Sequence, residues 1–187
     1  MREDAEGAAR EPRVLILGIG NRILGDDGVG SCFAEALSSL KLPGWIRAID
    51  GGLGGIELLE EIENSDILFL VDSVAAEDDP GDRVKVYKVN ELPMNPEEAL
   101  MMLTEVGRHG VSPEILLSVA LAIGKLPKEA YVIGIVPNSI ELNDRISEEA
   151  KKGCIEALKL IEAILGKMGL GVVFDIAGFL EKLREIC

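Results

Sequence analysis

The chain has 187 residues, of which 48% are hydrophobic and 28% charged, a composition typical of one globular domain with a buried core. The net charge of −14, with Lys and Arg interleaved among Glu and Asp, argues against binding to nucleic acids and to anionic membranes. No apolar stretch has the length of a membrane span, and residues 1–12 lack the apolar core of a signal peptide, so we expect a cytoplasmic protein. We also expect a monomer with a loose N-terminal tail, 1–12, and one domain over 13–187.

The first half of the chain alternates strand-like and helix-like segments. The continuous apolar run at 13–19 predicts a strand buried on both faces, and a helix is expected from about Gly28. A second strand, a short helix and a third strand are predicted at 45–49, 56–64 and 66–72. Residues 83–89 alternate polar and apolar side chains, which predicts a half-exposed or edge strand.

The second half begins with an irregular region, in which 97–104 could form two helical turns. Ser112 followed by Pro113 predicts the start of a helix. The last predicted elements are a strand at 130–136, a helix from about 147 to 165, and an amphipathic segment at 172–186 within a C-terminal extension, 168–187, that packs on the core. Strands that alternate with helices predict an α/β domain with a mostly parallel sheet and helices on both faces.

The three cysteines, Cys32, Cys154 and Cys187, are far apart and form no CxxC pair. This spacing favours neither a disulfide framework nor a zinc site. Cys32 also lies inside a predicted helix without a nearby base, so it is a poor candidate nucleophile.

The segment GIGNRILGDDGVG, residues 18–30, has the appearance of a phosphate-binding glycine loop. A dinucleotide fingerprint needs a third glycine where this chain has Ile23, and no Gly-Lys-Ser/Thr of a P-loop is present. Asp26 and Asp27 would also repel a phosphate. One aspartate is explained as the cap of the following helix, but two adjacent aspartates suggest a further role.

Carboxylates recur where the predicted strands end. Asp27 follows the first strand, Asp50 closes the second and Asp72 closes the third. Because the carboxyl ends of parallel strands meet at one edge of a sheet, these residues form a candidate site there, although a single carboxylate after a strand is often only a turn former.

His109 is the single histidine and precedes the helix that Ser112 caps. A lone histidine is more often structural, but the positive end of a helix favours the neutral imidazole that a metal ion requires. Two carboxylates and one imidazole on loops would make an open site suited to nickel, zinc, manganese or iron.

Five motifs in order along the chain resemble those of the hydrogenase maturation proteases, which trim the C-terminal extension from the large subunit of nickel–iron hydrogenases. They are GIGNRILGDDGVG (18–30), DGGLGGIELL (50–59), LVDSV (70–74) followed by PGDRVKV (80–86), HGVSPEILL (109–117) and GIVP (134–137). The resemblance covers about residues 13–165.

The resemblance implies an α/β/α sandwich around a five-stranded twisted sheet with one antiparallel strand, for which 83–89 is the candidate. It also implies that Asp27, Asp72 and His109 bind nickel that the substrate precursor carries, and that the enzyme holds no metal of its own firmly. Some members of the family have Glu where this chain has Asp27, which would place the metal closer to the loop. Leu53 stands where the family usually has Thr, so a hydroxyl role is not expected there.

The resemblance implies hydrolysis by a water molecule that attacks the peptide carbonyl. Nickel could activate the carbonyl or the water, or a carboxylate such as Asp27 or Asp26 could act as general base. Asn21, Asp50 and the backbone of Gly51 and Gly52 are candidates for positioning the substrate, and turn geometry alone would also explain the glycines.

Three alternatives remain at this stage. Ser73 with His109 could form a serine hydrolase, although no supporting motif is present. Asp27 and Asp50 could form an aspartic dyad, although paired-lobe aspartic proteases are rich in β-structure. A checkpoint or chaperone for hydrogenase assembly could bind nickel through the same three ligands without catalysis.

Overall fold

The computed structural model describes residues 11–75, 82–91, 95, 112–143 and 145–187. The predicted helical turns at 97–104 and the histidine at 109 lie outside these residues. Within the described ranges, no helix is long and apolar enough to cross a membrane.

The described strands form one five-stranded sheet with the order β2-β1-β3-β5-β4. The strands are β1 (Val14–Gly18), β2 (Ile46–Asp50), β3 (Ile67–Ser73), β4 (Val84–Lys88) and β5 (Glu129–Ile135). All neighbouring pairs are parallel except β4 and β5, which are antiparallel. The predicted mixed sheet is therefore confirmed, and the segment at 83–89 supplies its antiparallel edge strand.

Helices cover both faces of this sheet. They are α1 (Val29–Ser38), α2 (Leu58–Glu63), α3 (Pro113–Ala122), α4 (Glu148–Lys167) and α5 (Ile176–Ile186), and a short 3-10 turn, Gly25–Gly28, precedes α1. Val14 and Ile16 of β1 belong to the apolar cluster under α1, α4 and α5, whereas Leu15 and Leu17 belong to the cluster under α2 and α3. Successive side chains of a strand point to opposite faces, which explains why β1 is apolar throughout.

The glycines of the first motif allow α1 to pack closely on the sheet. A Cβ atom on Gly30 would lie 2.1 Å from the Val71 carbonyl oxygen and 2.3 Å from that of Ile19. A Cβ atom on Gly18 would in turn lie 1.8 Å from the Gly30 carbonyl oxygen. The resemblance of this segment to a nucleotide loop thus arises from helix–strand packing, which needs the same residue type.

The C-terminal extension packs against α1, and the expectation of no disulfide framework is wrong. Cys32 in α1 and Cys187 after α5 form a disulfide that closes a sequence separation of 155 residues. Phe33 and Phe179 meet nearby, edge to face, with ring centroids 5.1 Å apart. Cysteine spacing in the sequence did not reveal this pairing, because neither cysteine has a partner near it in sequence. Cys154 remains a buried free thiol.

Candidate active site

The predicted edge site lies where the sheet topology switches direction. Strand β1 pairs with β2 on one side and β3 on the other, so the loops after these strands diverge beyond their carboxyl ends. Asp50 is the last residue of β2, and Asp72 is the last but one of β3. Asp27 lies in the 3-10 turn that follows β1. The structure thus places the three carboxylates at the same edge.

Asp27 is linked directly to the end of β3. The Ser73 hydroxyl donates a hydrogen bond to Asp27 Oδ1 over 3.1 Å, and both residues are half-buried. Asp72 is the residue before Ser73 at the end of the strand. Asp27 therefore lies beside the end of β3, within electrostatic reach of Asp72.

Burial raises the pKa of Asp72 from 3.8 to about 7. The hydrogen bond from the Ser73 backbone opposes this rise, whereas the negative charges of Asp27 and Glu114 add to it. Glu114 lies in the first turn of α3, so the N-terminal end of that helix is within electrostatic reach of Asp72. A carboxyl with a strongly raised pKa at the carboxyl edge of a parallel sheet is a typical feature of a functional site.

The negative charge of Asp27 adds to the cost of ionising Asp72, and a bound divalent cation would offset that cost. Over the described ranges, no group of three His, Cys, Asp or Glu side chains is close enough to hold a metal ion. The third predicted ligand, His109, lies outside those ranges. Asp27 and Asp72 therefore form an acidic pair that needs a further ligand to bind a metal well.

Asp50 belongs to a separate hydrogen-bonded network. Its carboxylate accepts a bond of 2.8 Å from Arg22 Nη2 and one of 2.6 Å from the Ser31 hydroxyl. Arg22 also pairs with Glu35 and donates from Nε to the Ser31 hydroxyl over 2.7 Å. The charge of Asp50 is thus compensated by Arg22, and β1 lies between β2 and β3, so the structure offers no support for a dyad of Asp50 with Asp27.

Sequence reasoning missed the part played by Arg22. Arg22 lies between Gly20 and Gly25 of the first motif, and its partners Ser31 and Asp50 lie outside that motif, so the motif gives no signal for its role. Its guanidinium joins the loop after β1 to the end of β2 and to α1, which gives the rim of the site a defined shape.

The predicted substrate-positioning residues have local structural roles. Asn21 Oδ1 accepts a hydrogen bond from the Ile23 backbone N–H over 3.3 Å, an Asx-type turn. Gly52 has a φ of +54°, and its N–H donates to Asp50 Oδ1 over 2.8 Å. The Gly51 N–H donates to the Gly18 carbonyl over 2.8 Å. These contacts account for the glycines by turn geometry, and a substrate contact remains a prediction.

Asp26 does not cap α1. Asp26 is only 1% exposed, and its carboxylate accepts from Ser147 at the start of α4. Neither the 3-10 turn nor α1 has a side-chain cap. A carboxylate enclosed in this way has little access to a water molecule, so we favour a structural role over that of a general base.

The candidate nucleophiles outside the acidic pair have other bonds. The Ser73 hydroxyl donates to Asp27, and its predicted partner base lies outside the described residues. Cys32 is buried in the disulfide with Cys187. Burial strongly raises the pKa of the Cys154 thiol, which keeps it protonated and unreactive.

Comparisons with known proteins point to one family of proteases. Residues 33–164 match the family model of hydrogenase maturation proteases, HycI. The hydrogenase 2 maturation protease of Escherichia coli (strain K12) is 26% identical over 162 residues, which are 86% of this chain and 95% of that protein.

Two solved structures share the fold. The hydrogenase maturating endopeptidase HybD from E. coli is 26% identical with a TM-score of 0.64, over 84% of this chain and 94% of that chain. The hydrogenase 2 maturation peptidase from Thaumarchaeota archaeon SCGC_AB-539-E09 is 34% identical with a TM-score of 0.58, over 84% of this chain and 99% of that chain.

Proposed function

Because the chain belongs to the hydrogenase maturation protease family and is a peptidase, we propose that it removes the C-terminal extension of a nickel–iron hydrogenase large-subunit precursor. The reaction follows nickel insertion, and the nickel that the precursor carries is the feature the enzyme recognises. The observation that supports this most directly is the acidic pair of Asp27 and Asp72 at the carboxyl edge of the sheet.

In this proposal, Asp27, Asp72 and His109 bind nickel as part of the substrate. Asp27 comes from the 3-10 turn after β1 and Asp72 from the end of β3, and the charge of Glu114 acts on Asp72 from the first turn of α3. His109 precedes the Ser112 cap of that helix by three residues in sequence. Carboxylates alone bind nickel weakly, so thiolates of the precursor would supply most of the affinity.

Once nickel anchors the precursor, the scissile bond lies beside the acidic pair. A water molecule then attacks its carbonyl carbon, the carbon–nitrogen bond breaks, and the amine leaves with a proton. Asp27 is a candidate to accept the proton of the attacking water, because it is half-buried and bonded only on one oxygen among the described contacts. Nickel in the precursor could alternatively polarise the carbonyl. We place this reaction in the cytoplasm, with a monomeric enzyme.

The test compares nickel-loaded with nickel-free precursor, each incubated with the same enzyme preparation, and measures product masses. We expect loss of a C-terminal peptide from the loaded precursor only. His109→Ala and Asp27→Ala should abolish cleavage of loaded precursor, since each removes a ligand. Asp66→Asn, a carboxyl substitution before β3 at the opposite edge, serves as the matched control and should cleave normally.

Two results would contradict the proposal. Equal cleavage of both precursors would mean that nickel is not the recognition element. Tight binding of the loaded precursor without any change in mass would favour the alternative of a non-catalytic checkpoint or chaperone.

A further inference from the structure

We propose that Asp26 is a positioning residue for the site: its buried carboxylate holds the Asp27 turn against the start of α4 and the loop before it. In this way Asp26 keeps the Asp27 side chain at the end of β3. The consequence for catalysis rests on the proposed function, whereas the coupling itself is a property of the free enzyme.

The contacts of Asp26 carry the proposal. Oδ1 accepts a hydrogen bond of 2.6 Å from the Ser147 backbone N–H. Oδ2 accepts bonds from the Ser147 hydroxyl at 2.7 Å, from the Asn138 N–H at 2.8 Å and from the Ser139 N–H at 3.2 Å. All of these donors lie more than a hundred residues further along the chain, so Asp26 joins two distant segments.

The backbone of the same turn is paired with the same loop. The Gly25 N–H donates to the Asn143 carbonyl over 2.8 Å, and the Asn143 N–H donates to the Ile23 carbonyl over 3.0 Å. The Asp26 N–H donates to the Ser139 carbonyl over 3.1 Å. Hydrogen bonds of both the backbone and the Asp26 carboxylate therefore fix the turn to the segment before α4.

Only a carboxylate suits this position. Each of the surrounding groups is a donor, and an ionised carboxylate accepts on both oxygens and donates on neither. Ser147 is also the N-cap of α4, since its hydroxyl oxygen accepts from the Ala150 N–H over 3.1 Å. Its hydroxyl proton is therefore free to point at Asp26. The positive end of α4 stabilises the buried negative charge further.

The two adjacent aspartates thus have different roles, one structural and one at the site. Asp26 points into the layer of α4, and Asp27 points to Ser73 on β3. They share one 3-10 turn of four residues, so a change in the path of the backbone at Asp26 moves Asp27 with it. A displacement of about 1 Å at a reacting group can lower a rate by about 100-fold.

The experiment compares Asp26→Asn with Asp66→Asn, the same chemical change at a carboxylate that also accepts a backbone N–H. Amide hydrogen exchange of the free enzyme is measured together with kcat and KM for nickel-loaded precursor. We expect exchange in residues 23–28 of Asp26→Asn to be faster by about tenfold or more, because an amide leaves buried donors unsatisfied. The kcat should fall by about 100-fold, and KM should rise as well because Asp27 also binds the nickel of the precursor. Asp66→Asn should show neither effect.

Two outcomes overturn the proposal. A folded Asp26→Asn protein with normal kcat would mean that Asp26 only stabilises the fold. A large loss of kcat with unchanged exchange in the turn would mean that Asp26 takes part in the chemistry, as a general base would. Because exchange needs no substrate, failure of wild-type cleavage would refute the proposed function and leave the exchange result valid.

A second pair of variants applies if Asp26→Asn does not fold. Ser147→Ala removes one donor to Asp26 and the cap of α4, whereas Ser147→Thr keeps the hydroxyl. Ser147→Ala should show a smaller change of the same kind in exchange and kcat, and Ser147→Thr should restore both. Equal, wild-type behaviour of the two variants would contradict the proposal.

Discussion

Replacing Asp72 by asparagine should stabilise the fold at alkaline pH while it removes processing. The carboxyl has a pKa of about 7 in the folded protein and 3.8 as its ordinary value, chiefly because it is buried. Between these two values, the folded state therefore keeps a proton on Asp72 that the unfolded state has released. The stability that this carboxyl contributes is present below about pH 4 and is lost as the pH rises through about 7.

The size of the effect follows from the shift. Each pKa unit corresponds to about 1.4 kcal/mol, so a rise from 3.8 to about 7 sets an upper limit of about 4 kcal/mol at pH 8. Partial exposure and the imperfect fit of an amide reduce this limit. We expect Asp72→Asn to raise the free energy of unfolding by about 1–3 kcal/mol near pH 8, and by little near pH 4.

Urea unfolding of the wild type and of Asp72→Asn over this pH range measures the difference. Asp50→Asn is the contrasting variant, since it weakens one of the ion pairs of Arg22 and should lower stability modestly instead. A stability difference between Asp72→Asn and the wild type that does not vary with pH would refute the reasoning. It would show that the Asp72 side chain is not desolvated as its position implies.

Two further predictions concern the fold around the site. Reduction of the Cys32–Cys187 bridge should lower the Tm by about 10–20 °C, because a loop of 155 residues corresponds to about 5 kcal/mol in the chain-entropy model. Calorimetry with and without reductant measures this, and an unchanged Tm would mean that the bridge does not form in solution. Gly30→Ala should abolish soluble expression, because its Cβ would lie 2.1 Å from the Val71 carbonyl oxygen, whereas Gly44→Ala, with nothing within 4 Å, should express normally. Soluble, stable Gly30→Ala protein would contradict the close packing of α1 on the sheet.

The sequence by itself determined the elements and their arrangement in layers. Continuous apolar runs identified the buried parallel strands, and alternation at 83–89 identified the edge strand. Ser112 and Pro113 marked the start of α3 correctly. These signals are local, because they arise from side-chain periodicity and capping within a few residues. These signals also placed Asp27 and Asp72 at one edge of the sheet, because the carboxyl ends of parallel strands meet there.

Only the tertiary structure decided what each polar residue does. Asp26 meets Ser147 across 121 residues of sequence, Arg22 meets Asp50 across 28, and Cys32 meets Cys187 across 155. No local pattern specifies such partners, since they depend on how α1, α4 and α5 pack on the sheet. The same packing buries Asp72 and raises its pKa. Two neighbouring aspartates look alike in sequence, but Asp26 is enclosed by donors from α4 and its loop, whereas Asp27 accepts from Ser73 at the end of β3. The turn between β1 and α1 directs their side chains apart.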